Sequence, residues 1–230
     1  VKVRTRIITY ALSVNLNKFL YNKPVYLAME NCCRNGTLQN IENPSATGSV
    51  FYAEFPAIWQ NDIIVDNSSP VFTNLKGDYA CKGRTLYLDF SASDTDGDSL
   101  SYELCTPLAG SSTSSNPLPN PIGSAPYSFI QWKPSCDSLS LPNGGFVHIH
   151  SKNGVVDFLS NENGLYVVTV KCSEYRQGKK IGEVRRDYQV FVQDCPPATI
   201  PKLSFLAQSR VLKDSSEVMD INNNYKKLTF

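Results

Sequence analysis

Between Gly164 and Cys172 the side chains of Tyr166, Val168, Val170 and Cys172 fall on every second position. A period of two places all four on one face of an extended strand, whereas a helix would scatter them around its axis. The pattern recurs along the chain. Leu86, Leu88, Phe90 and Ala92 share one parity, and so do Leu100, Tyr102 and Leu104. Turn formers separate these runs: Asn153-Gly154 precedes Val155 to Leu159, and Arg176-Gln177-Gly178-Lys179 reverses the chain before Val184 to Val192. No long stretch repeats with a 3.6-residue period, and the helix candidates are short, the best of them near the C-terminus. With 12 Tyr, 11 Phe, 13 Gly and 14 Pro set among short apolar runs, the chain reads as all-β.

Its 230 residues suffice for one large domain or two ordinary ones. Residues 1–69 read as the C-terminal part of an upstream β domain. Ile8, Tyr10, Leu12, Val14 and Leu16 alternate as one long strand with a single buried face; Val25, Leu27 and Met29 form a second strand, and Val50 to Phe55 a third. Three strands rarely stand alone, so the rest of that sandwich is expected before Val1. Asp66-Asn67-Ser68-Ser69-Pro70 marks a break. Residues 70–195 then carry six or seven short strands at the spacing of a Greek-key β-sandwich. Phe129 to Trp132 and Phe146 to His150 are two of the shorter ones, and a Ser-, Pro- and Asn-rich loop from Thr106 to Pro126 interrupts the series. Pro196-Pro197 makes a stiff exit, and residues 196–230 read as a linker or the start of a further domain.

Charge excludes one class of partner. With 22 basic and 21 acidic side chains the net charge is +1, without the basic excess of a nucleic-acid binder. No apolar run approaches the ~20 residues of a membrane-spanning helix. The 7 cysteines are irregularly spaced and include no Cys-x-x-Cys, which favours disulfides in an oxidising compartment over a zinc site. Connectivity stays open. The strain of a vicinal bridge argues against Cys32 bonding Cys33, and one of the two could reach a cysteine upstream of this chain.

The densest chemistry is Asp94-Thr95-Asp96-Gly97-Asp98, a turn between two strands. Three carboxylates at alternate positions gather hard oxygens around one point, where they repel one another unless a cation intervenes. Calcium, which takes six to eight oxygens, is the expected ion. This is no EF-hand, because Ser99 and Cys105 stand where that loop needs glycine and glutamate. The alternative is a plain acidic surface turn.

Pro70-Val71-Phe72, Ser93 to Tyr102, Asn153-Gly154-Val155-Val156 and Gly164 to Val168 together resemble PKD-like and cadherin-like repeats. Glu30 to Asn35, Asn67 to Pro70, Leu104 to Pro107, Glu174-Tyr175-Arg176 and Gly182 to Asp187 resemble a module of large surface adhesins of gliding Bacteroidetes, cargo of the type IX secretion route. The likeness covers residues 4–197. It implies an extracellular, Ig/PKD/cadherin-like multidomain protein on the bacterial cell surface, without enzymatic activity. Its partners would be neighbouring domains of the same chain, surface glycans or other surface proteins. It also implies that Glu174, on a neighbouring strand, completes a calcium cage with Asp94, Asp96 and Asp98. A salt bridge from Glu174 to Arg176 or Arg185 is the alternative, and Asp89 is a weaker fifth ligand. Cys33, Cys81, Cys105, Cys172 and Cys195 are the disulfide candidates, while Cys136 matches no position of that module.

Other sites weigh less. His148 and His150 share a strand face and could hold zinc, but the chain has no third histidine, so they read as a polar strand face. Cys105 and Cys172 could act as nucleophiles, although the apolar neighbours of Cys172 favour a buried bridge. Trp59, Tyr127, Phe129 and Trp132 could stack on sugar rings, though buried aromatics are the rule in a sandwich. Asn35-Gly36-Thr37 and Asn67-Ser68-Ser69 fit the N-glycosylation sequon, and Asp98-Ser99-Leu100 and Asp137-Ser138-Leu139 resemble O-glycosylation sites of the same bacteria. Two functions follow: a calcium-stiffened segment of a surface adhesin, or a carbohydrate-binding module of a secreted hydrolase.

Overall fold

The computed structural model describes residues 8–15, 23–60, 63–74, 79–121 and 123–196. In chain order the strands are β1 (Val25–Asn31), β2 (Gly48–Phe55), β3 (Trp59–Gln60), β4 (Ile63–Ile64), β5 (Val71–Phe72), β6 (Tyr79–Cys81), β7 (Leu86–Asp89) and β8 (Ala92–Ser93). They continue with β9 (Ser99–Leu104), β10 (Leu108–Gly110), β11 (Ser128–Phe129), β12 (Ser140–Leu141), β13 (Gly145–Ile149), β14 (Val155–Leu159), β15 (Gly164–Arg176) and β16 (Lys179–Gln193). Apart from two single-turn 3-10 segments, the described residues are strand, turn and loop: the protein is all-β.

Two sheets face each other. The larger runs β11-β10-β2-β16-β15-β9, with β1 on β2 and β6 parallel to β16; the smaller runs β12-β13-β14-β7. Between them Leu88, Phe90, Val147, Val156 and Phe158 meet Tyr102, Tyr166, Val168, Val170, Cys172, Val190 and Val192. The parity of the sequence decides this. Leu86, Leu88, Phe90 and Ala92 turn inward while Tyr87 and Asp89 face out, and Tyr166, Val168, Val170 and Cys172 are buried together. Arg186 is folded back over the rings of Phe72, Phe90 and Tyr188 at 5.3–5.6 Å, where it lines a small cavity with Asn74 and Asp89.

β15 is buried on both faces. Val167, on the side away from the main core, packs with Leu38, Ile41 and Ile130. Asn40 is fully buried there and serves the Val167 backbone twice, accepting from its N–H at 3.0 Å and donating to its carbonyl at 2.9 Å. Arg34, nearby, ion-pairs with Asp187 and donates to the Leu108 carbonyl.

These contacts change the expected division of the chain. β2 lies inside the larger sheet, pairing with β10 and β16, and Leu38 to Ile41 pack on β15. Val1–Cys195 form one compact unit, so the strands before residue 69 are not a separate body. Residues 8–15 are not a strand: Ile8, Tyr10, Leu12 and Val14 are exposed, and Leu16 lies outside the described residues. Leu27 and Met29 also face outward, and it is Glu30 that is buried. Alternation reports two faces of a strand, not which one finds a partner. Of residues 196–230, only Pro196 is described.

Candidate metal centre

The aspartate turn joins β8 to β9, and Glu174 reaches it from β15. The register sets Glu174 opposite Leu100 of β9 and Gly182 of β16, so one strand pairing brings its carboxylate under the turn. Asp94 Oδ1 accepts the backbone N–H of Asp96 at 2.9 Å and of Asp98 at 3.0 Å, which folds the loop around that side chain. Its other oxygen, Oδ2, is buried and has no hydrogen-bond partner. Ligand oxygens of Asp94, Asp98 and Glu174 all lie within 4.8 Å of one another. Glu174 is fully buried and its oxygens make no well-formed hydrogen bond, although the Asn67 amide and the Asp98 carboxyl lie beside them.

Room for that carboxylate depends on Gly182. A Cβ there would lie 2.6 Å from the Glu54 carbonyl and 2.9 Å from Glu174 Oε2. Neither alternative partner pairs with Glu174. Arg176 turns to Asp98 in a two-pronged ion pair, Nε to Oδ1 at 2.8 Å and a terminal nitrogen to Oδ2 at 2.6 Å, while Arg185 donates to Glu183. Arg176 also donates to the Asn67 side chain and the Asp66 carbonyl, and the Ser68 N–H donates to Asp96 at 2.5 Å. The segment expected to be a break, 66–68, is thus pinned to the turn.

Electrostatics follows from this placement. Arg176 holds the Asp98 carboxyl below the usual range. Burial, partly offset by the Asn67 amide and reinforced by the neighbouring Asp98 and Asp94, pushes Glu174 up to about 7. With all four acids ionised, one arginine leaves three negative charges, and two of the acids, the half-buried Asp94 and the buried Glu174, carry buried oxygens without a partner. Such a donor set fits a hard divalent cation, which would lie between Asp94, Asp98 and Glu174, meet the free oxygens of Asp94 and Glu174, and share the Asp98 carboxylate with Arg176. Asp96 is outside this triad, turned to Ser68 and 3.7 Å from Arg176. Asp89 is remote from it, on β7 of the other sheet, where it accepts the Ser91 N–H.

Cys81 and Cys195 are bridged, their Cα atoms 5.3 Å apart, where β6 runs beside the end of β16. Among the others, the pairing of Cys32 with Cys33 and the free state of Cys105 and Cys172 depart from expectation. Cys32 and Cys33 bridge each other, and Cys105, Cys136 and Cys172 are free thiols. Cys172 pairs across the sheet with Tyr102, so Cys105 sits three residues, about 10 Å, further along the strand direction. That exceeds the reach of a disulfide. Burial pushes the Cys172 thiol up to about 12 and the Cys105 thiol to about 11, which leaves both protonated and weakly nucleophilic near neutral pH.

The loop aromatics do not form one platform. Trp132 packs on the Leu38–Ile41 cluster and donates to Thr106, and Tyr127 stands edge-on to Tyr52 and donates to the Gly123 carbonyl. Phe129 is 55% exposed on β11, and Trp59 pairs with Ile64 in the separate β3–β4 ribbon. Among the described residues no helix is long and apolar enough to cross a membrane. No family model and no curated protein matches the chain.

Proposed function

We propose that this chain is a non-enzymatic structural or adhesive segment of an extracellular surface protein, stiffened by calcium bound between Asp94, Asp98 and Glu174. One observation carries the reading: a fully buried glutamate, both oxygens unpartnered, faces two aspartates. A carboxylate in that position costs several kcal/mol unless it is neutralised by a proton or a cation. Calcium supplies the missing charge, and its preference for several oxygens suits the side-chain and backbone acceptors of a turn.

A bound ion would tie three pieces of chain together: the β8–β9 turn, the end of β15 and, through Arg176 and Asp96, the 66–68 segment. Tension along the chain would then have to break metal–oxygen bonds before the turn could open. The Cys81–Cys195 bridge accords with an oxidising exterior and closes a loop of sequence separation 114. The resemblance to surface adhesins of gliding Bacteroidetes supports the location on the cell surface and partners among neighbouring domains or surface glycans. Thermal unfolding with calcium and with chelator tests the proposal. A rise in Tm with calcium that disappears in Glu174→Gln is expected; an identical Tm in both conditions removes calcium from the account.

A further inference from the structure

The structure assigns a second metal site, for zinc or a similar borderline divalent cation, to His148, His150 and Asp157 on the outer face of the smaller sheet. Sequence parity alone left the two histidines without a third ligand. The β13–β14 hairpin supplies it, because its register sets His148 directly opposite Asp157.

The hairpin is built to hold this arrangement. Val147, Val156 and Phe158 are buried in the core, so the intervening positions His148 and Asp157 are turned outward. The His150 N–H donates to the Val155 carbonyl at 2.8 Å, and the Gly154 N–H donates back to the His150 carbonyl at 2.9 Å, closing the turn. Gly154 is in the left-handed region, φ +74°, and a Cβ there would lie 2.7 Å from the Phe90 carbonyl oxygen. The turn is therefore fixed to the neighbouring strand and cannot slide its register.

Ring nitrogens of both histidines converge on one oxygen. Asp157 Oδ2 is 3.3 Å from His150 Nε2 and 3.7 Å from His148 Nδ1. A tetrahedral zinc with bonds of about 2.0–2.1 Å separates neighbouring ligand atoms by roughly 3.3 Å. The two histidine–aspartate separations thus already lie close to the edge of such a tetrahedron, and all three donors fall within 4.8 Å of one another. Asp157 Oδ1 is buried without a hydrogen-bond partner, so the carboxylate has no competing donor on that side. The histidine side chains are 61% and 48% exposed, which leaves a path for the ion and a fourth position for water or an outside ligand. Two imidazoles and one carboxylate select a borderline cation; calcium, which prefers oxygen, belongs to the acidic turn instead.

Zinc chloride titrated into the whole chain in excess calcium tests this. The chain has only 2 histidines, so every imidazole signal in its NMR spectrum comes from this site. One equivalent of zinc should shift both rings together and bind with 1:1 stoichiometry by calorimetry. His148→Ala and Asp157→Asn, both outward-facing changes, should each weaken binding by at least about tenfold, since even losing a second-shell partner costs that much. Glu174→Gln should leave zinc binding unchanged, which separates this site from the calcium proposal. Unmoved imidazole signals at several equivalents of zinc, or undiminished binding in a His148→Ala and His150→Ala double variant, would overturn the assignment.

Discussion

Replacing Glu174 by glutamine should reverse its effect on stability according to whether calcium is present. Without calcium, burial and the neighbouring aspartates raise the Glu174 carboxyl from its ordinary 4.5 to about 7 in the folded protein. The folded state then binds a proton that the unfolded state has released, so this group's contribution is fully present below pH 4.5 and is lost as pH rises through about 7. At about 1.4 kcal/mol per tenfold, the loss is on the order of 3 kcal/mol. Glutamine carries no charge and can donate to Asp94 or Asp98, so at pH 8 in chelator Glu174→Gln should be more stable by up to about 3 kcal/mol. For a body of this size that is roughly 6–12 °C in Tm. Calcium at a hundred times its Kd should stabilise the wild type by about 2.7 kcal/mol and the variant hardly at all. Paired melting curves from pH 5 to pH 8, with calcium and with chelator, read out all four states. Calcium should also flatten the wild type's decline between pH 5 and pH 7, because the ion replaces the proton. A variant that is less stable than wild type in chelator at pH 8, or that gains as much from calcium, would refute this reasoning.

Arg176→Ala should destabilise the calcium-free protein by about 3 kcal/mol in urea unfolding, because Asp98, 6% exposed, loses both charge-assisted bonds. Calcium should recover more of that loss than it adds to the wild type. Breaking Cys81–Cys195 with a double serine variant should cost about 4–5 kcal/mol, the value for a loop of this length, and abolish any response of Tm to reductant that traces to this bridge. Asn40→Ala leaves the buried N–H and carbonyl of Val167 unpaired and should cost roughly 2–4 kcal/mol. A fragment comprising 70–195 alone, lacking β2 and the Leu38–Ile41 cluster, should show no cooperative unfolding transition, whereas residues 1–195 should unfold in one.

How far the sequence disclosed this structure depended on how local the information was. The face of β15 carrying Tyr166 to Cys172, the Asn153-Gly154 turn and the reversal before β16 were all legible, because side-chain parity and turn chemistry act over a few residues. The acidic turn holding Asp94 and Asp98 was legible too, whereas Glu174 entered only through the resemblance to cadherin-like repeats; the fold brings its carboxylate to those two and leaves Asp96 outside the group. Long-range pairing was not legible. Nothing local told that β2 would enter the larger sheet or that Val167 would be covered by Leu38 and Ile41. The same ignorance hid that Cys81 would bridge Cys195 while Cys105 stayed a free thiol, since both depend on which strands become neighbours. Asp157 is an instructive miss. Counting outward from the turn closed between His150 and Val155 already pairs it with His148, so the hairpin register held the signal that a search for a third histidine passed over.

The most direct measurement is the anomalous scattering of calcium in crystals grown with the ion. One peak is expected between Asp94, Asp98 and Glu174, with carboxylate oxygens at about 2.3–2.6 Å, and it should be absent from Glu174→Gln crystals grown alongside. A clear map with no peak there, and with a water or the Arg176 guanidinium contacting the Glu174 carboxylate instead, would contradict calcium as the element that holds this turn closed.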